Sequence, residues 1–239
     1  MAIYKAAGLF LEFTPKYEHL RKYSEKYLYT GDEIPENVIT LDIPKEFLKE
    51  RQKANPHLST AMCEYIWTGA LFASKLLENN GFVVHSSAVA YEGNAYLFSA
   101  ASGTGKSTHT EYWQEVFGFD KAVIINDDKP SLREIDGVFY ASGTMFSGKS
   151  PISENISVPV KALCFIHRSQ KNEIKRLESS EVLPLVFEQT LRPRDPVKIT
   201  ELTSVLDSFL KKVPVYSLGV TNSPDAAEFA YNAIKADQN

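Results

Sequence analysis

Lys106 sits near the end of Ala100-Ala101-Ser102-Gly103-Thr104-Gly105-Lys106-Ser107, a run that fits the phosphate-loop pattern except that Ala100 stands at the first glycine position. The residue types dictate the chemistry. Glycines at 103 and 105 let main-chain N–H groups turn inward around phosphate oxygens without Cβ clashes. A helix starting there adds the positive partial charge of its N-terminus. Lys106 then reaches β- and γ-phosphates, and the Ser107 hydroxyl can ligate Mg²⁺. The expected nucleotide-binding residues are therefore Ser102, Gly103, Thr104, Gly105, Lys106, Ser107 and Thr108, with Mg²⁺ expected beside the phosphates. A glycine-rich turn could mimic the pattern, but here an apolar strand, Ala95–Phe98, precedes the loop and a helical pattern follows it.

Asn126-Asp127-Asp128 ends the next apolar run, Ala122–Ile125. Adjacent carboxylates there can divide labour, one on Mg²⁺ and one holding an acceptor hydroxyl in line with the γ-phosphate. Asp and Asn also end strands as ordinary turn residues; their position after a phosphate loop favours the chemical reading. His85 closes Phe82-Val83-Val84 and, taken alone, reads as a hydrogen-bonded structural residue. Lys149, in the Gly- and Ser-rich stretch 142–157, suits a charge clamp on a closing segment, and a solvated surface lysine suits it equally. Arg168 and Arg192 are further expected phosphate or acceptor contacts.

Around these residues the pattern sets out the elements that must position them. Met62, Tyr65, Ile66, Gly69, Ala73, Leu76 and Leu77 recur at helical spacing, so a helix is expected over 59–79 with one buried stripe, capped by Ser59 and stopped at Asn79-Asn80-Gly81. Strands are expected at 82–85, 88–91 and 95–99, with a turn at Glu92-Gly93-Asn94, and a helix over 108–117 stopped by Gly118. Asp136-Gly137 joins 131–135 to 138–141 as a hairpin. Runs 160–167 and 173–177 suggest another antiparallel pair, and helices are expected near 182–190, 200–211 and 225–235, with a strand at 215–218. Prolines and Gly31 break up the first fifty residues, which predicts a small N-terminal lobe over 1–58 wrapped onto a main domain at 59–239. Hairpins in the middle and helices around them make the fold class α/β or α+β with a mixed sheet, not a regular βαβ alternation.

The chain of 239 residues carries 44% hydrophobic and 23% charged residues with a net charge of −4, ordinary globular usage that argues against disorder. Mild acidity argues against a nucleic-acid partner. No apolar run reaches the roughly 18–20 residues of a membrane span, and the N-terminus lacks the basic-then-apolar order of a signal peptide. The expectation is a cytoplasmic protein without membrane contact. Cys63 and Cys164 lie far apart without paired His spacing, so neither a disulfide framework nor a zinc site is expected. An Asn-Lys-x-Asp guanine motif and an Asp-x-x-Gly switch are both missing, which turns the reading from regulatory GTPases toward a phosphotransferase.

Three segments together resemble the catalytic domain of HPr kinase/phosphorylase: His85-Ser86-Ser87-Ala88-Val89, the loop ending Gly103-Thr104-Gly105-Lys106-Ser107-Thr108, and Asn126-Asp127-Asp128. With Val213-Pro214-Val215-Tyr216-Ser217-Leu218, the resemblance spans residues 82–220 and is strongest to small HPr-kinase-like proteins found near peptide-modification genes. It implies a P-loop on a mixed, hairpin-rich sheet flanked by helices. Position by position, it implies that Lys106 binds β/γ-phosphates, Ser107 and Asp127 hold Mg²⁺, Asp128 orients or deprotonates the acceptor, and His85 tunes Asp128. The glycine-rich C-terminal signature of the bifunctional enzyme is missing, so neither phosphorylase activity nor HPr as acceptor is implied. The expected function is ATP- and Mg²⁺-dependent transfer of a γ-phosphoryl group to a hydroxyl, Ser of a peptide or protein, by a chain whose relatives form homo-oligomers. Two rivals stand beside it: a small-molecule kinase or carboxykinase-like enzyme on the same fold, and a non-catalytic nucleotide-binding regulator.

Overall fold

The computed structural model describes residues 2–33, 35–148 and 150–238. Strands β1 (Ala2–Ala6) and β2 (Leu9–Phe13) form a hairpin turned by Ala7 and Gly8, both at positive φ. Helix α1 (Glu18–Ser24) follows, then β3 (Ile39–Thr40), which adds parallel to β2, and α2 (Lys45–Ala54). Helix α3 (Thr60–Leu77) begins where Ser59 Oγ accepts the Met62 N–H at 3.1 Å, and Asn80 beyond its end takes the left-handed conformation. Its buried face differs from the expected stripe: Cys63, Thr68 and Phe72 are buried, while Ile66 is exposed. The helix is covered on more than one side, so its apolar residues do not all define one face.

The middle of the chain is a run of strands. β4 (Gly81–Val83), β5 (Ser87–Tyr91) and β6 (Asn94–Ser99) lead into α4 (Lys106–Phe117), which begins at Lys106, two residues earlier than its apolar pattern suggests. β7 (Val123–Asn126) is followed by the hairpin β8 (Ser131–Ile135) and β9 (Val138–Ser142), turned by Asp136 and Gly137 at positive φ. β10 (Ser157–Arg168), β11 (Glu173–Arg176), α5 (Ser179–Gln189), α6 (Pro196–Lys212), β12 (Val215–Val220) and α7 (Asp225–Asp237) complete the chain.

The large sheet is mixed, in the order β4-β8-β9-β10-β6-β5-β7, with β12 also on β10 and β11 on β12. The expected β10–β11 hairpin does not form. β12 lies between them, parallel to β10 from Leu163 to Arg168 and antiparallel to β11. Leu163, Cys164 and Ile166 are buried, and a central position with a partner on both sides suits such a strand better than a two-stranded edge.

Alternation along the strands sends side chains to two cores. Ala95 and Leu97 face Val186, Leu206 and Phe209 of α5 and α6. Tyr96 and Phe98 face Trp113 of α4 and Ala230 and Ile234 of α7. A third cluster joins β1 and β2 to Phe72 and Leu76 of α3 and to Met145 and Phe146, so the 143–147 stretch is packed interior rather than a surface loop. Cys63 and Cys164 are both buried free thiols, and no helix of the described residues is long and apolar enough to cross a membrane.

Candidate functional site

β6 runs parallel to β10, β10 runs parallel to β12, and β6 and β7 are each antiparallel to β5. The C-terminal ends of β6, β7, β10 and β12 and the start of β5 therefore meet at one edge of the sheet. A cavity of about 710 Å³ opens there, and every sequence-expected site residue among those described, except Arg192, lines it. Lys149 lies outside the described residues. Arg192 sits elsewhere, beside a small apolar hollow of about 240 Å³, its guanidinium 5.8 Å from the Phe187 ring. The turn after α5 carries it away from the sheet edge. Arg168, by contrast, ends β10 at the cavity and donates to Gly103 O at 3.1 Å and Thr104 O at 3.4 Å.

The loop between β6 and α4 turns through Gly103 (φ +79°) and Gly105 (φ +118°), a region that favours glycine. A Cβ at either position would point into open space, so the loop's inner face is a bare main-chain surface. Lys106 is buried and donates to Ala100 O at 3.0 Å and Ala101 O at 3.4 Å. Burial holds its ammonium below the ordinary lysine range, against the opposing pull of Asp128 and then Asp127.

At the end of β7, Asn126 is fully buried and its side-chain oxygen accepts the N–H groups of Asp128 (3.0 Å) and Lys129 (2.7 Å). That Asx turn fixes the two aspartates on different partners. Ser87 Oγ donates to Asp127 Oδ1 at 2.7 Å and lies 2.8 Å from Thr110 of α4. Asp128 Oδ1 faces His85 Nε2 at 3.2 Å, and the Ser86 N–H donates to Asp128 O at 3.1 Å. His85 is thus drawn into the site by contact, although its sequence position alone marks it as structural.

Other site residues carry no sequence signal of their own. Gly148 (φ +74°) covers Asp128 so closely that a Cβ there would fall 1.8 Å from Oδ2. Tyr65 of α3 holds that glycine twice: its hydroxyl accepts the Gly148 N–H at 2.9 Å and donates to Gly148 O at 3.3 Å. Burial pushes the Tyr65 phenol up to about 12, which keeps the donor proton in place. Gln189, 104 residues from His85, closes the ring's other side. At the far end of the cavity the Tyr112 hydroxyl donates to Asn222 Oδ1 at 3.2 Å. Among the described residues no three His, Cys, Asp or Glu side chains cluster as a metal centre. Ser107 and Asp127 both line the cavity, and their oxygens are of the kind a hard divalent cation takes.

Among solved structures, the Hpr(Ser) kinase/phosphatase from Coxiella burnetii aligns with 66% of this chain and 99% of its own at 12% identity, with a TM-score of 0.38. So slight a superposition fixes no residue role. No curated protein matches the chain. A family model does match, over residues 57–189, which take in His85, the Ala100–Gly105 loop and both aspartates, and so more than half the chain. By that match the chain belongs to the family described as SynChlorMet cassette protein ScmC.

Proposed function

We propose that the chain is a phosphotransferase that passes the γ-phosphoryl group of ATP, held with Mg²⁺, to a serine hydroxyl of a peptide or protein. The observation that carries this reading is one cavity lined both by the Lys106 loop and by the hydrogen-bonded pair His85–Asp128. A site that only bound nucleotide would need the loop but no histidine-anchored carboxylate within the same cavity. The peptide acceptor rests on the resemblance to small HPr-kinase-like proteins.

The residues fit the groups. The bare main chain of Gly103 and Gly105 would accept phosphate oxygens, and the Lys106 ammonium would exchange its two loop carbonyls for them. Ser107 and Asp127 would hold Mg²⁺. ATP with Mg²⁺ supplies an electrophilic phosphoryl group when bound. The protein's own part is placement and charge. Asp128 accepts the proton of the acceptor hydroxyl, His85 keeps that carboxylate oriented, and Arg168 ties down the loop through its carbonyls.

Incubation with γ-labelled ATP, Mg²⁺ and serine-containing peptides encoded nearby tests the proposal. Wild type labels a peptide serine. Asp128→Asn lowers transfer by about 100-fold or more while nucleotide still binds, the range expected for loss of a catalytic base. Lys106→Ala weakens nucleotide binding itself. Tight nucleotide binding with no label moving to any peptide would overturn the kinase reading.

A further inference from the structure

His85 is held between two side chains, one on each ring nitrogen. Asp128 Oδ1 lies 3.2 Å from Nε2, and Gln189 Oε1 lies 3.1 Å from Nδ1. Gln189 reaches this place through the main chain. The His85 N–H donates to Gln189 O at 2.8 Å, the Leu191 N–H donates to Val83 O at 3.2 Å, and Val84 pairs with Thr190, so residues 189–191 at and beyond the end of α5 run antiparallel beside residues 83–85 at and beyond the end of β4. A second anchor holds the main chain of His85, since Ser99 Oγ donates to His85 O at 2.8 Å.

The amide at this position has a property that few side chains share: it can accept through oxygen or donate through nitrogen. Nε2 faces a carboxylate oxygen and so carries the hydrogen of that bond, while the Gln189 amide can meet Nδ1 with either its oxygen or its nitrogen. We propose that Gln189 is a positioning residue of the site: it holds the ring from the Nδ1 side so that His85 Nε2–H is aimed at Asp128, and so keeps the acceptor-side carboxylate oriented. The proposal rests on the phosphotransferase reading only for its effect on rate. The hydrogen-bond assignment stands apart from it.

Two measurements on the full-length protein decide it. In long-range ¹H–¹⁵N spectra of the imidazoles without nucleotide, the wild-type His85 Nε2–H should be visible and protected from exchange. Gln189→Leu should lose that protection, and Gln189→Glu, which still presents an oxygen to Nδ1, should retain it. Both variants are first checked for native near-ultraviolet circular dichroism. Identical His85 spectra in wild type and both folded variants would overturn the proposal.

The second measurement is a double-mutant cycle in phosphoryl transfer. Gln189→Leu should lower kcat about tenfold, a fraction of a general base's worth, with KM for ATP within about twofold. The same change in a His85→Ala background should cost nothing further, because Gln189 acts through the ring. An equal loss in both backgrounds would mean a merely structural role and overturn the assignment. If no variant or wild type transfers phosphate, the kinase reading falls while the spectra still judge Gln189.

Discussion

His109 lies one turn along α4 from Lys106 and shows how a titratable residue can serve packing. Its ring is 2% exposed, packs edge-on against Phe98 at 4.4 Å between centroids, and accepts the Trp113 indole N–H on Nε2 at 3.3 Å. Burial drives its pKa down to about 4. Above pH 6.5 the ring is neutral whether the chain is folded or not. Between 6.5 and 4 only the unfolded chain takes up the proton, so stability falls with falling pH, by about 3 kcal/mol in all, and the loss levels off below 4. His109→Gln keeps an acceptor for Trp113 but does not titrate. Urea unfolding from pH 7 to 4 should show a shallower decline in that variant, and equal slopes would mean that the buried ring is not the acid-sensitive group. At this scale the sequence was a partial guide. Lys106, Asp127 and Asp128 were expected from residue type and spacing, and the fold brings them to one cavity. His85 needed its neighbours, and Gln189 had no signal at all, since its only qualification is a main-chain pairing across a hundred residues.

The segment from Gly143 to Ser153 shows what an irregular element can do when its core is buried. Met145 and Phe146 pack it against α3, with Phe72 and Phe146 5.2 Å apart between ring centroids, while Tyr65 fixes Gly148 over Asp128. Composition suggested a polar loop because its Ser and Gly outnumber its large apolar residues, yet the buried Met145 and Phe146 set its position. Gly148→Ala places a methyl where Asp128 Oδ2 lies, on a backbone conformation that alanine dislikes by about 1 kcal/mol. On the proposed phosphotransferase reading, transfer should fall at least tenfold with nucleotide affinity unchanged, measured by kinetics and calorimetry, because the clash is with Asp128 and not with the Lys106 loop. Unchanged transfer would mean that this loop does not constrain Asp128. Turns were the most legible elements, as Asp136-Gly137 shows, for their backbone angles depend on local residues. Strand partners were not: β11 follows β10 in sequence but pairs with β12, a choice made by sheet-wide burial.

Over the whole molecule, the small residue Ser153 helps to join the N-terminal segment to the residues around the site. Ser153 Oγ donates to Thr144 O at 2.9 Å and accepts from Asn126 Nδ2 at 3.1 Å, which leaves the Tyr27 hydroxyl, 2.8 Å away, to donate as well. Lys26 adds a bond to Ser153 O and an ion pair with Glu154 at 3.0 Å. One hydroxyl therefore joins residues from the N-terminal segment, the end of β7 and the 143–153 segment. Ser153→Ala strands a buried phenol and a buried amide, and should cost about 2 kcal/mol in urea unfolding. A loss below about 0.5 kcal/mol would show that these groups find other partners. The position of β12 has a consequence for how the chain reaches this state. Until Val215–Val220 arrives, the Leu163–Arg168 edge of β10 is bare, β11 has no strand to join, and the pairing that closes the sheet spans about fifty residues of intervening chain. A nascent or truncated chain without β12 therefore carries an open, apolar sheet edge that invites intermolecular pairing, which makes the final quarter of synthesis its most aggregation-prone interval.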